Sequence, residues 1–206
     1  MLELFYGRRT CALASHLTLE AAGAAYTATA LDFAAGQQRS AAFLALNPKG
    51  RVPALRTERG VLTETPAILL YLAQRFPQAR LAPLDDPFEL AQLQAFNSYL
   101  CSTVHVAHAH KLRGARWADD EAAQQSMRAK VAPNMTECFT LIERELLRGP
   151  WVMGESFSIA DPYLFTLTTW LPGDGVPIET FPAVADHHRR MLERPEVQRV
   201  WARHAG

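Results

Sequence analysis

A chain of 206 residues can form one large domain or two small ones and bury a proper core without disulfides or a structural metal. Hydrophobic residues make up 49% and charged residues 20%, which excludes intrinsic disorder. Lysine plus arginine equals aspartate plus glutamate at 21 each, so no global field draws the protein onto nucleic acid or an anionic bilayer. A small neutral or zwitterionic partner fits better. No window approaches the roughly 18 consecutive apolar residues of a membrane helix, and Met1 to Thr10 carries Glu3 early, so we expect a soluble protein without an export signal or membrane partner. Cys11, Cys101 and Cys138 are odd in number and far apart, matching neither a disulfide framework nor paired metal-ligand spacing, which favours a reducing cytoplasm.

In chain order, Leu2 to Tyr6 reads as a strand and Cys11 to Ala22 as a helix with Leu13, Leu17 and Ala21 on one face and Gly23 as its stop. Tyr26 to Leu31 is a second strand, and Ser40 to Leu46 a helical stretch ended by Asn47-Pro48 and Lys49-Gly50. Val52 to Arg56 and Val61 to Thr63, joined by Glu58-Arg59-Gly60, form a hairpin, followed by a helix from Pro66 to Arg75. Residues 1–77 thus read as a βαβαββα domain. Pro77, Pro83, Pro87 and Asp85-Asp86 break any period between Phe76 and Pro87, so the linker is placed there. Residues 87–206 read as all-helical, with helices at Phe88 to Leu112, Asp120 to Leu147, Ser158 to Trp170, Pro182 to Leu192 and Pro195 to Ala202.

Three features of the first domain can carry chemistry. Cys11 stands at the opening of the first helix, where unpaired backbone N–H groups and the helix dipole favour a thiolate. Ala14 occupies the place of a resolving cysteine, so a partner thiol would come from outside; a small buried cysteine that merely fills the helix start is the alternative. Arg51-Val52-Pro53-Ala54 puts proline at a strand start, where a cis bond would turn the Val52 backbone outward to pair with a bound peptide, and an ordinary trans edge proline is the alternative. Glu64-Thr65-Pro66 reads as an N-cap at Thr65 with proline at the first helical position, an anion site or simply a self-satisfied cap.

Together these pieces resemble the cytosolic glutathione S-transferases, most closely the bacterial beta class. The resemblance runs through Leu4-Phe5-Tyr6, Cys11-Ala-Leu-Ala-Ser15-His16, Asn47-Pro-Lys-Gly-Arg-Val-Pro-Ala-Leu55, Leu62-Thr-Glu-Thr65, Phe157-Ser-Ile-Ala-Asp161 and Arg194-Pro-Glu-Val197, with His105 in the long first helix of the second domain. It implies an α/β thioredoxin-like N-terminal domain binding glutathione as co-substrate, an all-α C-terminal domain completing a pocket for the second substrate, and a homodimer. By position it implies that Cys11 faces the glutathione sulfur, Val52 pairs with the tripeptide beside a cis Pro53, and Glu64 and Thr65 hold the γ-glutamyl end. Arg51, Ser98 and Ser102 join the glutathione set, and His105 joins Cys11 near the sulfur. Ser158 and Asp161 form a capping pair for a buried helix, and Pro162 suggests that this helix starts late, with Asp161 as its cap.

The chain also departs from the family pattern. Arg8-Arg9-Thr10 replaces Pro-Gly-Ala, Ala34-Ala35-Gly36 stands where a lysine is common, and Ser98 replaces the asparagine that reaches across the dimer. Arg8, Arg9 or Arg51 is the expected compensating cation for a glutathione carboxylate. The electrophile pocket is expected to draw on Tyr6, Arg9, His105, His108, Lys111, Arg113, Trp117 and Trp170, an aromatic and basic set that suits a planar compound. The spacing of His105, His108 and His110 scatters them around a helix, so no metal is expected. The reaction implied is attack of the glutathione thiolate on a small hydrophobic electrophile. Two alternatives are glutathione-dependent disulfide reduction or peroxidase chemistry through a Cys11 mixed disulfide, and a noncatalytic interaction protein that keeps the fold.

Overall fold

The computed structural model describes residues 1–204, which divide into two compact units: Met1–Ala91 together with the chain from Met191 onward, and Gln92–Arg190. The division falls inside a helix that opens at Pro87, and the last helix groups with the first unit.

The first unit holds a four-stranded sheet of order β2-β1-β3-β4. Strand β1 (Leu2–Tyr6) is followed by helix α1 (Ala12–Ala21) and strand β2 (Tyr26–Ala30), which pairs parallel to β1 with Leu4 opposite Ala28. Helix α2 (Ala41–Leu46) is capped by Ser40, whose hydroxyl accepts from the Phe43 amide at 3.2 Å. Strands β3 (Ala54–Thr57) and β4 (Gly60–Thr63) form the hairpin, with Phe5 opposite Ala54 in the antiparallel β1–β3 pair. Helix α3 (Thr65–Arg75) closes the βαβαββα order. Leu4, Leu19, Leu55, Ile68 and Leu72 form one buried cluster and Phe5, Phe43 and Ala54 another. The alternation of β1 thus buries both of its faces, as a central strand requires.

After α4 (Pro87–Tyr99) the chain passes through a π turn, Leu100–Val104, into α5 (His105–Arg113). Helix α6 (Glu121–Leu141) is capped by Asp120 and runs into a second π turn, Ile142–Leu146. Helix α7 (Ala160–Thr168) is buried along its whole length, and α8 (Pro182–Glu193) and α9 (Pro195–His204) end the described chain. Among the described residues the second half contributes to no sheet beyond one isolated bridge, Trp151 with Gly154.

Two helix starts differ from expectation. Helix α3 begins at Thr65, with Glu64 rather than Thr65 in the cap position and no side-chain cap bond there. Helix α7 begins at Ala160 and carries Pro162 in its first turn, so it does not start late: the N–H that proline lacks is one the first turn leaves unbonded anyway. The capping pair itself forms, since Asp161 Oδ2 accepts from the Ser158 amide at 2.6 Å and from its hydroxyl at 3.1 Å.

Candidate functional site

In the first unit, β1 ends at Tyr6 and a short loop delivers Cys11 to the start of α1. The loop is tightly built. A Cβ on Gly7 would stand 2.8 Å from the Phe33 ring, so any other residue there would have to push that ring aside. Thr10 donates to the Gly7 carbonyl at 2.7 Å and accepts from the Ala12 amide at 3.3 Å. The amides of Leu13 and Ala14 bond to the carbonyls of Thr10 and Cys11. The first-turn N–H groups expected to be unpaired near the thiol are therefore occupied at these three positions, which leaves the orientation of the peptide dipoles as the helix's influence on sulfur. Cys11 is 8% exposed, and its Sγ donates to the Val52 carbonyl at 3.6 Å. The Val52–Pro53 peptide bond is cis. Asn47, fully buried, donates to the Arg51 carbonyl at 2.7 Å and fixes the approach to that bond.

Glu64 holds a left-handed backbone, φ +71°, a conformation a glutamate adopts only at a cost of order 1 kcal/mol or more. The result is an exposed carboxylate at the opening of α3, beside the buried Thr65. Lys49 Nζ donates to Glu64 Oε1 at 2.6 Å and to Thr63 Oγ1 at 2.9 Å. The cation on this carboxylate is Lys49, which the sequence presents as part of the Lys49-Gly50 helix stop and of the Asn47–Leu55 stretch. Arg9 lies exposed on the loop before Cys11 with φ +56°, and Arg51 is exposed beside the cis bond. Tyr6, expected to line an electrophile pocket, is instead packed inside the first unit: its ring stacks on His204 at 4.6 Å and meets His16 at 5.2 Å. An aromatic at the end of a central strand is drawn into the core by the area it buries.

His16 and His204 form a second polar feature of this unit, both fully buried, with His16 Nδ1 2.9 Å from His204 Nε2. Burial lowers the His16 pKa to about 4, with Arg203 adding to the shift and Glu20 opposing it. Burial, then His16, Arg203 and Arg8, lower His204 to about 3. Both imidazoles are therefore neutral at pH 7 and share one hydrogen bond.

In the second unit the aromatic and basic residues fall into two groups. His105 and His108 share the face of α5 that meets Trp170, the first edge-on at 5.0 Å between ring centres, the second stacked at 4.2 Å and 23°. His108 Nδ1 lies 2.7 Å from Asp174 Oδ2, and Lys111 Nζ lies 3.4 Å from Asp174 Oδ1 and donates to the Gly173 carbonyl. Asp174 was not foreseen, because nothing local in the sequence marks it. Trp117, by contrast, packs against His110 at 4.5 Å, away from the Trp170 group, and Arg113 stands at the last turn of α5. Ser98 is exposed and its carbonyl accepts from Ser102. Ser102 also lines a groove of about 830 Å³ between α5 and α6 with Tyr99, His110, Cys138 and Arg144. Among the described residues no group of three or more His, Cys, Asp or Glu side chains could hold a metal ion.

Comparison with known proteins agrees with this layout. The family model described as glutathione S-transferase, N-terminal domain, matches residues 1–74, and the one described as glutathione S-transferase, C-terminal domain, matches residues 101–195. The chain is similar to glutathione S-transferase GstA of Escherichia coli O157:H7, at 32% identity over 96% of each chain. Among solved structures it resembles a glutathione transferase homologue from Sulfitobacter with bound glutathione, at 44% identity, TM-score 0.95 and 98% coverage of each chain. It also resembles the bacterial beta class enzyme of Sphingomonas chungbukensis, at 32% identity, TM-score 0.85 and 98% coverage of each.

Proposed function

The chain belongs to the glutathione S-transferase family, and from that premise we propose that it joins the thiolate of glutathione to a small hydrophobic electrophile. The observation that carries the proposal is the meeting of Cys11 Sγ with the Val52 carbonyl next to the cis Pro53 bond, in a unit that also presents Glu64 from a constrained backbone. Val52 offers an N–H and a carbonyl for antiparallel pairing with the cysteinyl backbone of the tripeptide, which brings the two sulfurs together. Glu64 and Thr65 suit the ammonium and carboxylate of the γ-glutamyl end. Lys49 then has a role: it pairs with Glu64 while glutathione is away and gives way to the ammonium when it binds. Glutathione binding by the Sulfitobacter homologue supports the same assignment. In this reading the protein acts as a cytoplasmic homodimer; no described helix is long and apolar enough to cross a membrane.

The chemistry sets limits on what Cys11 can contribute. A thiol of pKa about 8.5 is about 3% ionised at pH 7, and lowering it by two units, about 2.7 kcal/mol, raises the thiolate roughly 25-fold. With a Brønsted coefficient of about 0.45 the loss of nucleophilicity is roughly eightfold, leaving a net gain of about threefold. Positioning of the electrophile has to supply most of the remaining rate. His105, Trp170 and the groups around them in the second unit are the electrophile's binding set.

The test compares wild type and Cys11→Ala with 1-chloro-2,4-dinitrobenzene and with a glutathione mixed disulfide as substrates. We expect Cys11→Ala to reduce conjugation by no more than about tenfold and to abolish disulfide reduction, since only a thiol can form the mixed disulfide. Absence of both activities in wild type, with no heat of mixing in millimolar glutathione, would remove the enzyme reading and leave a fold used for interaction.

A further inference from the structure

We infer that Arg8 and Arg9, on the loop before Cys11, set acceptor specificity, and that this transferase conjugates acceptors carrying a negative charge in preference to neutral ones. The inference rests on the transferase reading above. It adds a substrate class and two specificity-determining residues, both within the first unit.

The loop holds the two arginines in place. Phe33 covers Gly7, and Thr10 is engaged twice, donating to the Gly7 carbonyl at 2.7 Å and accepting from the Ala12 amide at 3.3 Å, so residues 7–10 form a closed turn. Arg8 and Arg9 fill the middle of that turn and are both exposed. Arg9 stands two residues before Cys11, so their Cα atoms are at most about 7 Å apart, and Arg8 is one residue further back. Arg9 holds φ +56°, a left-handed conformation that costs glycine nothing and an arginine something. The family pattern has Pro-Gly at these two places. Here both are arginine, so the chain keeps a cation at a point where the backbone favours glycine, and strain kept beside a reactive group points to a use for the side chain.

The surrounding charges leave both arginines available. Among the described residues no hydrogen bond or ion pair engages either guanidinium. The acids on the neighbouring elements are committed elsewhere: Glu3 of β1 to Arg56, Glu20 of α1 to Arg199 and the Tyr26 hydroxyl, Glu196 of α9 to Arg194, and Glu64 to Lys49. Asp32, on the loop that carries Phe33, accepts at Oδ1 from the amides of Ala34 and Ala35. Two further cations lie in the same unit: Arg51 is exposed beside the cis bond, and Arg203 acts together with Arg8 on the buried His204. The neighbourhood of Cys11 therefore carries surplus positive charge.

Such a surplus distinguishes acceptors by their charge. Glutathione as a thiolate sets two carboxylates and a sulfur anion against one ammonium, so an anionic acceptor is repelled as it approaches the sulfur. Two nearby cations offset that repulsion, whereas a neutral acceptor is indifferent to both. With an aryl chloride the thiolate sulfur bonds to the ring carbon, the carbon–chlorine pair leaves with chloride, and the thiol proton goes to solvent. The arginines take no part in making or breaking bonds and act on the approach and binding of the acceptor. A cation held by a glutathione carboxylate instead would act alike on every acceptor.

Two acceptors with the same reacting carbon separate these roles: 4-chloro-3,5-dinitrobenzoate and its methyl ester. The quantity compared is the benzoate-to-ester ratio of kcat/KM, each value divided by the uncatalysed rate constant at the same salt. In wild type this ratio should fall about tenfold between about 10 mM and about 0.5 M salt, as the Debye length shrinks from about 30 Å to roughly 4 Å. At low salt it should fall about threefold in Arg8→Gln and in Arg9→Gln, and about tenfold in the double variant, with most of the salt dependence lost. Arg9→Lys keeps the charge and should stay within twofold of wild type. Arg9→Gly removes the charge while relieving the left-handed backbone, so its ratio should fall in a protein that unfolds no more easily than wild type. A double-variant ratio within threefold of wild type overturns the inference, and a rise in the KM for glutathione common to both acceptors then assigns the arginines to glutathione. A salt-independent wild-type ratio, or a wild type that accepts only the ester, overturns it as well; in all these results the transferase reading stands. Failure of wild type with both acceptors removes that reading and the inference with it.

Discussion

The two units treat buried histidine in opposite ways. In the first, His16 is paired with His204, one imidazole against another, with Arg203 and Arg8 among the nearby charges. In the second, His187 Nε2 meets Asp161 at 3.0 Å and His108 meets Asp174 at 2.7 Å, each facing a fully buried carboxylate. A neutral pair needs no counter-charge, although it leaves His16 Nε2 and His204 Nδ1 buried without partners, whereas a carboxylate partner fixes the ring at the expense of burying an anion. Burial is the first cause of the lowered pKa values of the neutral pair, and the partner decides how each ring is held. His188 sharpens the point from within the second unit: its Nδ1 meets the Thr168 hydroxyl at 2.7 Å, and burial lowers its pKa to about 4, as in the neutral pair.

The largest effect is expected at Asp161. Its carboxylate accepts from the Val152 amide at 2.7 Å, from the Ser158 amide and hydroxyl, and from His187, all of them buried. Asp161→Ala leaves those donors without an acceptor and should cost about 3–5 kcal/mol of unfolding free energy. Asp174→Ala should cost about 1–2 kcal/mol, because its partners His108 and Lys111 are partly exposed and can turn to water. Urea unfolding followed by circular dichroism measures both; equal losses would break the distinction between a carboxylate that holds the fold and one that serves a site.

The neutral pair has a pH signature. The folded pKa of His16, His204 and His188 lies below the unfolded 6.5, so the folded state binds fewer protons than the unfolded chain. Above about pH 6.5 stability is flat with respect to these groups. As pH falls from 6.5 toward 4 the unfolded chain protonates first and stability is lost, by up to about 1.4 kcal/mol per pH unit for each imidazole. Below their folded values of about 4 and 3 the loss levels off. His204→Gln should reduce the proton uptake on unfolding at pH 5 by about one, read from the slope of urea-derived stability against pH. An unchanged slope would mean that His204 is already charged in the folded protein.

These pairings also mark where sequence reading stopped. Strand β1, the hairpin with Gly60 at its turn, the helical stretch from Ser40 and the helices of the second half were legible because their signals are local: alternation, helical spacing, turn residues between apolar runs. The family motifs added Cys11, Val52 with Pro53, and Glu64, residues that sit in short segments next to the strands and helices of the first unit. The rest was not legible for a physical reason. His108 and Asp174 are 66 residues apart and His16 and His204 are 188 apart, and nothing periodic links partners at such distances. The packing of Tyr6 on His16 and His204 was not legible because an aromatic at a strand end reads the same whether it faces a ligand or a buried imidazole. Lys49 was overlooked because a lysine before glycine is an ordinary helix stop until the fold brings Glu64 to it.

The smallest effect tests how α9 is held. Besides the histidine pair, α9 meets α1 through Arg199, whose Nε donates to Glu20 Oε2 at 2.9 Å, while Glu20 also accepts from the Tyr26 hydroxyl at 2.5 Å. Arg199 is 60% exposed, so the pair competes with water and salt and holds a long side chain in one rotamer for little return. Arg199→Ala should change the unfolding free energy at pH 7 by less than about 0.5 kcal/mol, whereas His204→Gln, which leaves a buried His16 nitrogen without its partner, should cost about 1–3 kcal/mol. The order matters more than either value. If Arg199→Ala proved the more damaging of the two, the exposed ion pair would be the fastening of α9, and the buried imidazoles would be a consequence of its docking rather than a cause.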